Sequence, residues 1–177
     1  MNRSQGELAP QSCGPFQFSL EWPDPTPETR AAVEEFWATE KAIEDSAQRE
    51  LRSRQLLIVA RDVRRRVAGV STVVAQHVDQ LGFPCFYYRT YIAQSHRNIA
   101  MLAKDMFLAS YDALNRRFQA GYDPVVLGLF LELQNASLAR HLNYAVWKMD
   151  GMNAVYIGKN KHGLPCRVWY FDGARVP

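Results

Sequence analysis

A chain of 177 residues, 47% hydrophobic and 22% charged, has the material for one sizeable core, which excludes a disordered or low-complexity protein. No segment is long and apolar enough for a membrane helix, and MNRSQGELAPQSCGPF at the start has no apolar core of signal-peptide length. The formal charge of +3 is mild; it suits an anionic ligand and does not by itself announce nucleic acid.

In chain order, residues 1–14 are polar and expected to be mobile, ahead of a single domain over 15–177. Phe16, Phe18, Leu20 and Trp22 alternate with polar neighbours, the pattern of a half-buried strand. Thr26 and Pro27 then start a helix from Glu28 to about Arg54, with Val33, Phe36, Trp37 and Ile43 as its apolar stripe. QLLIVARD and VAGVSTVVAQH are β-branched runs joined by Asp62–Arg66 in a hairpin, and PCFYYRTYIA follows as a third strand. Ile99, Leu102, Ala103, Met106, Ser110, Ala113 and Leu114 recur at helical spacing, with Lys104, Asp105, Asp112 and Arg116 opposite. Gly121 ends that helix. VVLGLFLELQ reads as a strand covered on both faces, Asn135 caps a helix over Ala136 to Trp147, and NAVYIGKN with PCRVWYF forms a closing hairpin. The order is β-α-ββ-β-α-β-α-ββ, a mixed α/β sheet.

Cys13, Cys85 and Cys166 are odd in number and form no C-x-x-C pair, so reduced thiols in a cytoplasmic protein are expected. No Cys/His cluster has metal-ligand spacing, and no metal is expected. RDVRRR, Arg61 to Arg66, reads as a solvated hairpin tip, with RNA, a membrane surface or an adenosine phosphate as its alternative ligands. Tyr87, Arg89 and Tyr91 share one strand face, either lining a pocket or packing on helices. Gln94 to Ala100 reads as a phosphate-cradling turn or as the capped start of a helix.

Ile92-Ala93-Gln94-Ser95-His96-Arg97-Asn98-Ile99-Ala100-Met101-Leu102 resembles the V-x-P-x-x-R-x-x-G-x-G/A pattern of the GNAT superfamily of acyl-CoA-dependent N-acyltransferases, and the element order over Phe16 to Phe171 is similar to that fold. Ile92 and Arg97 match the pattern; Gln94 replaces its proline, Ala100 its first glycine and Leu102 its second small residue. LELQNASLARHL is similar to the family's second site, with Asn135 at its usual asparagine and Leu142 where many members carry a tyrosine acid.

The resemblance implies transfer of an acetyl or short acyl group from acetyl-CoA, or another acyl-CoA, to a small-molecule or peptide amine. The implied cofactor residues are Tyr91, Ile92, Ala93, Arg97, Asn98, Ile99, Ala100, Met101, Leu102 and Asn135. Glu132, a carboxylate expected in apolar surroundings with a raised pKa, is the candidate base, or else a solvated or arginine-paired strand end. Tyr144 is the nearest tyrosine to the general-acid position, and a core or surface tyrosine is its other reading. Neither a membrane nor nucleic acid is an expected partner, and a homodimer is one open assembly. The missing glycines also fit a module of this fold that binds coenzyme A without catalysis, and the arginine tip fits a basic interaction protein.

Overall fold

A computed structural model describes residues 12–99, 101–141, 143–149 and 151–177. Its strands are β1 (Ser12–Cys13), β2 (Phe16–Leu20), β3 (Leu56–Arg61), β4 (Val67–Val78), β5 (Phe83–Ile92), β6 (Gly128–Glu132), β7 (Val146–Met149), β8 (Met152–Lys159) and β9 (Pro165–Tyr170). The helices are α1 (Pro27–Thr39), α2 (Ser46–Ser53), α3 (Leu102–Gln119) and α4 (Ala136–His141), with a 3-10 turn over Gln94–His96. The strands form one mixed sheet in the order β1-β2-β3-β4-β5-β6-β9-β8-β7. Residues 1–11 of the segment expected to be mobile lie outside the described residues; Ser12 and Cys13 already pair with Gln17 and Phe16.

The chain divides into two compact units. The first comprises the residues up to Thr72 with Thr90–Ser110. Its core gathers Val33, Trp37, Ile43, Leu56, Val59 and Val70, with Phe36 and Tyr91 packed at the margin. The second comprises Val73–Arg89 with Tyr111–Pro177. Its core gathers Val78, Phe83, Cys85, Leu127, Phe130, Cys166 and Val168.

Two helices read from the sequence end early. The helix expected to reach Arg54 is broken into α1 and α2. At about 100° per residue, an unbroken helix would set Ile43 some 120° round from Trp37 and would put Glu40 and Glu44 on the buried stripe. The chain instead reverses at Lys41, φ 53°, which seats Ile43 in the core, and Asp45 caps α2 by accepting the Ala47 N–H at 2.9 Å. The helix expected to reach Trp147 stops at His141, and Val146–Met149 becomes β7. There Val146 pairs with Val155, and Trp147 meets Trp169 edge-to-face at 6.4 Å. Arg167, only 1% exposed, donates to the carbonyls of Ala154 (3.2 Å) and Tyr144 (2.5 Å) and so fixes the entry to β7. Cross-strand packing has overridden a helical reading of that segment.

Candidate active site

The first group of candidate residues lies where β5 turns into α3. The Ala93 N–H donates to the Ala68 carbonyl of β4 at 2.9 Å. Backbone groups alternate sides along a strand, so the N–H groups of Ile92 and Gln94 point to the edge that β4 leaves open. Successive short bonds then wind the chain: His96 N–H to Ala93, Ile99 N–H to His96 (3.1 Å) and Leu102 N–H to Ile99 (3.1 Å). The amides of Ile99 and Leu102 are therefore used inside the turn. Those of Asn98 and Met101 have no acceptor among the described residues, and both residues are exposed. Ala100 lies outside the described residues. Leu102 is 2% exposed, so its side chain is buried rather than beside an incoming phosphate.

Arg97 is exposed. Its Nε donates to the Ile92 carbonyl at 3.2 Å, and its guanidinium carbon stands 5.1 Å from the Tyr91 ring centre. The other face of that packing is Phe36, edge-on to Tyr91 at 5.8 Å. The Tyr91 hydroxyl donates to the Glu40 carbonyl at 3.3 Å, and the Glu40 carboxylate accepts the Gln94 N–H at 2.8 Å. Glu40, which no pattern in the sequence singled out, thus places a negative charge on the open edge of β5. Its signal was present only as a carboxylate at the point where the α1 stripe would have buried it.

The second group surrounds Glu132 at the end of β6. Tyr87 donates its hydroxyl to Glu132 Oε2 at 2.8 Å, and the Arg89 guanidinium carbon lies 4.1 Å from the Tyr87 ring centre. Burial pushes the Tyr87 phenol up, Glu132's hydrogen bond and charge push it further, and Arg89 only partly offsets them. The phenol is therefore a proton donor across the neutral range. Glu132 shares its face with Phe130, which packs on Tyr87 at 5.5 Å between ring centres. It is half-buried beside a phenol rather than sealed among apolar side chains, which corrects the expected environment. Among the described residues it has no arginine ion-pair partner; Arg89 stacks on the Tyr87 ring instead.

β5 and β6 run parallel but pair only at Phe86 with Leu129 and Tyr87 with Phe130. On its other side β6 pairs with β9 along all of Gly128 to Glu132. Beyond Tyr87, β5 continues to Ile92 with no register partner in β6 among the described residues.

Asn135 Oδ1 accepts the Leu138 N–H at 3.0 Å, a side-chain cap on α4. Leu142 lies outside the described residues. Tyr144 is on the link into β7 rather than on a helix, 64% exposed, and shares no hydrogen bond with Glu132 among the described residues. No group of three His, Cys, Asp or Glu side chains able to hold a metal occurs among the described residues.

No family model and no curated protein matches the sequence. Solved structures do. An acetyltransferase of the GNAT family from Listeria monocytogenes 4b F2365 is 15% identical, with 92% of this chain and 99% of that one covered at a TM-score of 0.59. The ribosomal-protein-S5-alanine acetyltransferase of Vibrio fischeri is 9% identical over 94% and 99%, at 0.55. yncA from Salmonella typhimurium, solved with its cofactor acetyl-CoA, is 15% identical over 93% and 98%, at 0.51.

Proposed function

The chain has the GNAT fold, and from that premise we propose that it is an acyl-CoA-dependent N-acyltransferase that moves an acetyl or short acyl group to an amine. The observation that carries this reading is the short β5–β6 pairing, which leaves the edge of β5 past Tyr87 with no register partner in β6 among the described residues. An open strand edge suits the amide groups of an extended pantetheine arm.

The residues present fit such a cofactor. Tyr91, Ile92 and Ala93 supply the strand edge, and the exposed amides of Asn98 and Met101 supply donors for a pyrophosphate. Arg97 keeps its two terminal nitrogens for the same phosphates, its Nε being held by Ile92. Ile99 and Leu102 shape the turn, and Asn135 frames the second stretch. The bound coenzyme supplies an activated acyl thioester.

The Ile92 N–H, on the open edge, polarises the acyl carbonyl. Glu132 takes the amine proton, and the Tyr87 hydrogen bond fixes which oxygen does so and in what direction. Tyr144 is the proposed donor to the departing thiolate. The acceptor is a small-molecule or peptide amine.

Calorimetric titration with acetyl-CoA tests the reading: saturable binding is expected, weakened by Arg97→Ala. Absence of binding at roughly millimolar ligand, the upper end of ordinary KM values, would end it.

A further inference from the structure

The mild net charge of the chain is not spread over its surface. Four of the 21 basic residues and one of the 18 acidic residues lie in Arg61–Arg66, which leaves 17 of each elsewhere. The whole formal excess of +3 therefore sits in six consecutive residues at the β3–β4 hairpin tip.

The structure shows how that charge is held. Asp62, buried, accepts the N–H groups of Arg64 and Arg66 on Oδ1, each at 2.9 Å. Its Oδ2 accepts Arg66 Nε at 2.9 Å and Nη2 at 2.7 Å. Those four bonds leave Asp62 saturated and Arg66 as its sole ion-pair partner among the described residues. The backbone closes through Arg65 N–H to Asp62 (2.8 Å) and Asp62 N–H to Arg66 (2.9 Å), with Arg65 at φ 60°. Arg61 donates Nη1 to the Arg65 carbonyl at 3.4 Å. Arg61, Arg64 and Arg65 have no carboxylate partner among the described residues, and the last two are exposed. The tip is thus a fixed frame carrying three uncompensated guanidiniums.

We propose that this hairpin tip docks the protein on the phosphate backbone of a double-stranded nucleic acid. All four cations are arginine, whose planar fork suits phosphate oxygens better than a lysine point charge. A two-stranded ribbon is narrow enough to enter a groove with phosphates on both walls. The tip holds no aromatic ring on which unpaired bases would stack, which disfavours a single strand. Its one exposed apolar side chain, Val63 at 79%, is too little to anchor a hydrocarbon interior. The contact is to backbone and so is independent of base sequence.

The test is fluorescence anisotropy of the full chain with a short labelled duplex over a series of KCl concentrations. Three phosphate contacts predict a slope of log affinity against log salt near −3. Arg64→Ser with Arg65→Gly removes two charges while suiting the exposed turn and its positive φ. That variant should bind about tenfold or more weakly, with the slope reduced by about two. No duplex binding at about 50 mM KCl, or an unchanged slope in the variant, would overturn the proposal. So would tighter binding to a single strand of equal charge, to phosphatidylserine vesicles or to polyglutamate. The wild-type slope needs no variant and stands by itself should the substitutions unfold the tip.

Discussion

At the scale of single residues, the account turns on Glu132 and Tyr87. A positioned general base contributes roughly a hundredfold to ten-thousandfold, so Glu132→Gln should lower kcat by at least about a hundredfold. Coenzyme affinity should hold, because the proposed role of Glu132 is toward the amine and not the cofactor. Tyr87→Phe keeps the ring under Arg89 and removes one hydrogen bond, so it should cost less, about tenfold. Equal loss of binding and rate in both variants would instead make the pair structural. The thiols give a separate check. Burial pushes Cys85 up to about 12, while burial and then the charge of Glu132 raise Cys166. Only about one Cys85 in ten thousand is thiolate at pH 8, and thiolate is the nucleophile. Iodoacetamide followed by mass mapping should leave both unmodified until urea unfolds the chain; labelling of native Cys85 would contradict its burial.

At the scale of elements, close packing sets the most sensitive positions. A Cβ on Gly128 would lie 2.3 Å from the Trp169 carbonyl oxygen, and backbone cannot swing aside as a side chain can. Gly128→Ala should therefore exceed the ~1–3 kcal/mol of ordinary overpacking and lower the thermal midpoint sharply. Leu102→Gly opens the first turn of α3 and a buried site together, so a loss of about 3 kcal/mol in urea unfolding is expected, with no tighter coenzyme binding. At the arginine tip, burial pushes the Asp62 carboxyl up, but the Arg66 guanidinium and the N–H groups of Arg66 and Arg64 outweigh it and hold it below the usual value. A depressed folded pKa stabilises above the unfolded value near ~4 and loses that effect as pH falls through the folded one. Asp62→Asn should be less stable than wild type at neutral pH and lose less on acidification. Elements with clean periodicity were legible from residues alone: the Phe16 strand, the β3–β4 hairpin, α3 and the closing hairpin. The α1–α2 break and β7 were not, because Ile43 packs with Leu56, Val59 and Val70, and the entry to β7 is held by Arg167 and Trp169.

At the scale of the whole molecule, the mixed sheet and its GNAT likeness were legible in element order, although 9–15% identity leaves few matched residues. The turn was legible in its location and not in its bonding. Arg97 and Ile92 could be matched, but the use of the Ile99 and Leu102 amides inside the turn, and the reach of Glu40 to Gln94, depend on three-dimensional closure. Tyr87 as the holder of Glu132 was likewise hidden, since 45 residues separate the two in the chain. Fold alone does not establish activity, and catalysis rests on whether the open edge and Glu132 act on the same acyl group. The direct measurement is release of free coenzyme A thiol from acetyl-CoA across a panel of primary amines, wild type beside Glu132→Gln. Acceptor-dependent release by the wild type, lost in the variant while both still bind acetyl-CoA, is the predicted result; binding without release for any amine would contradict it and leave a coenzyme-binding module.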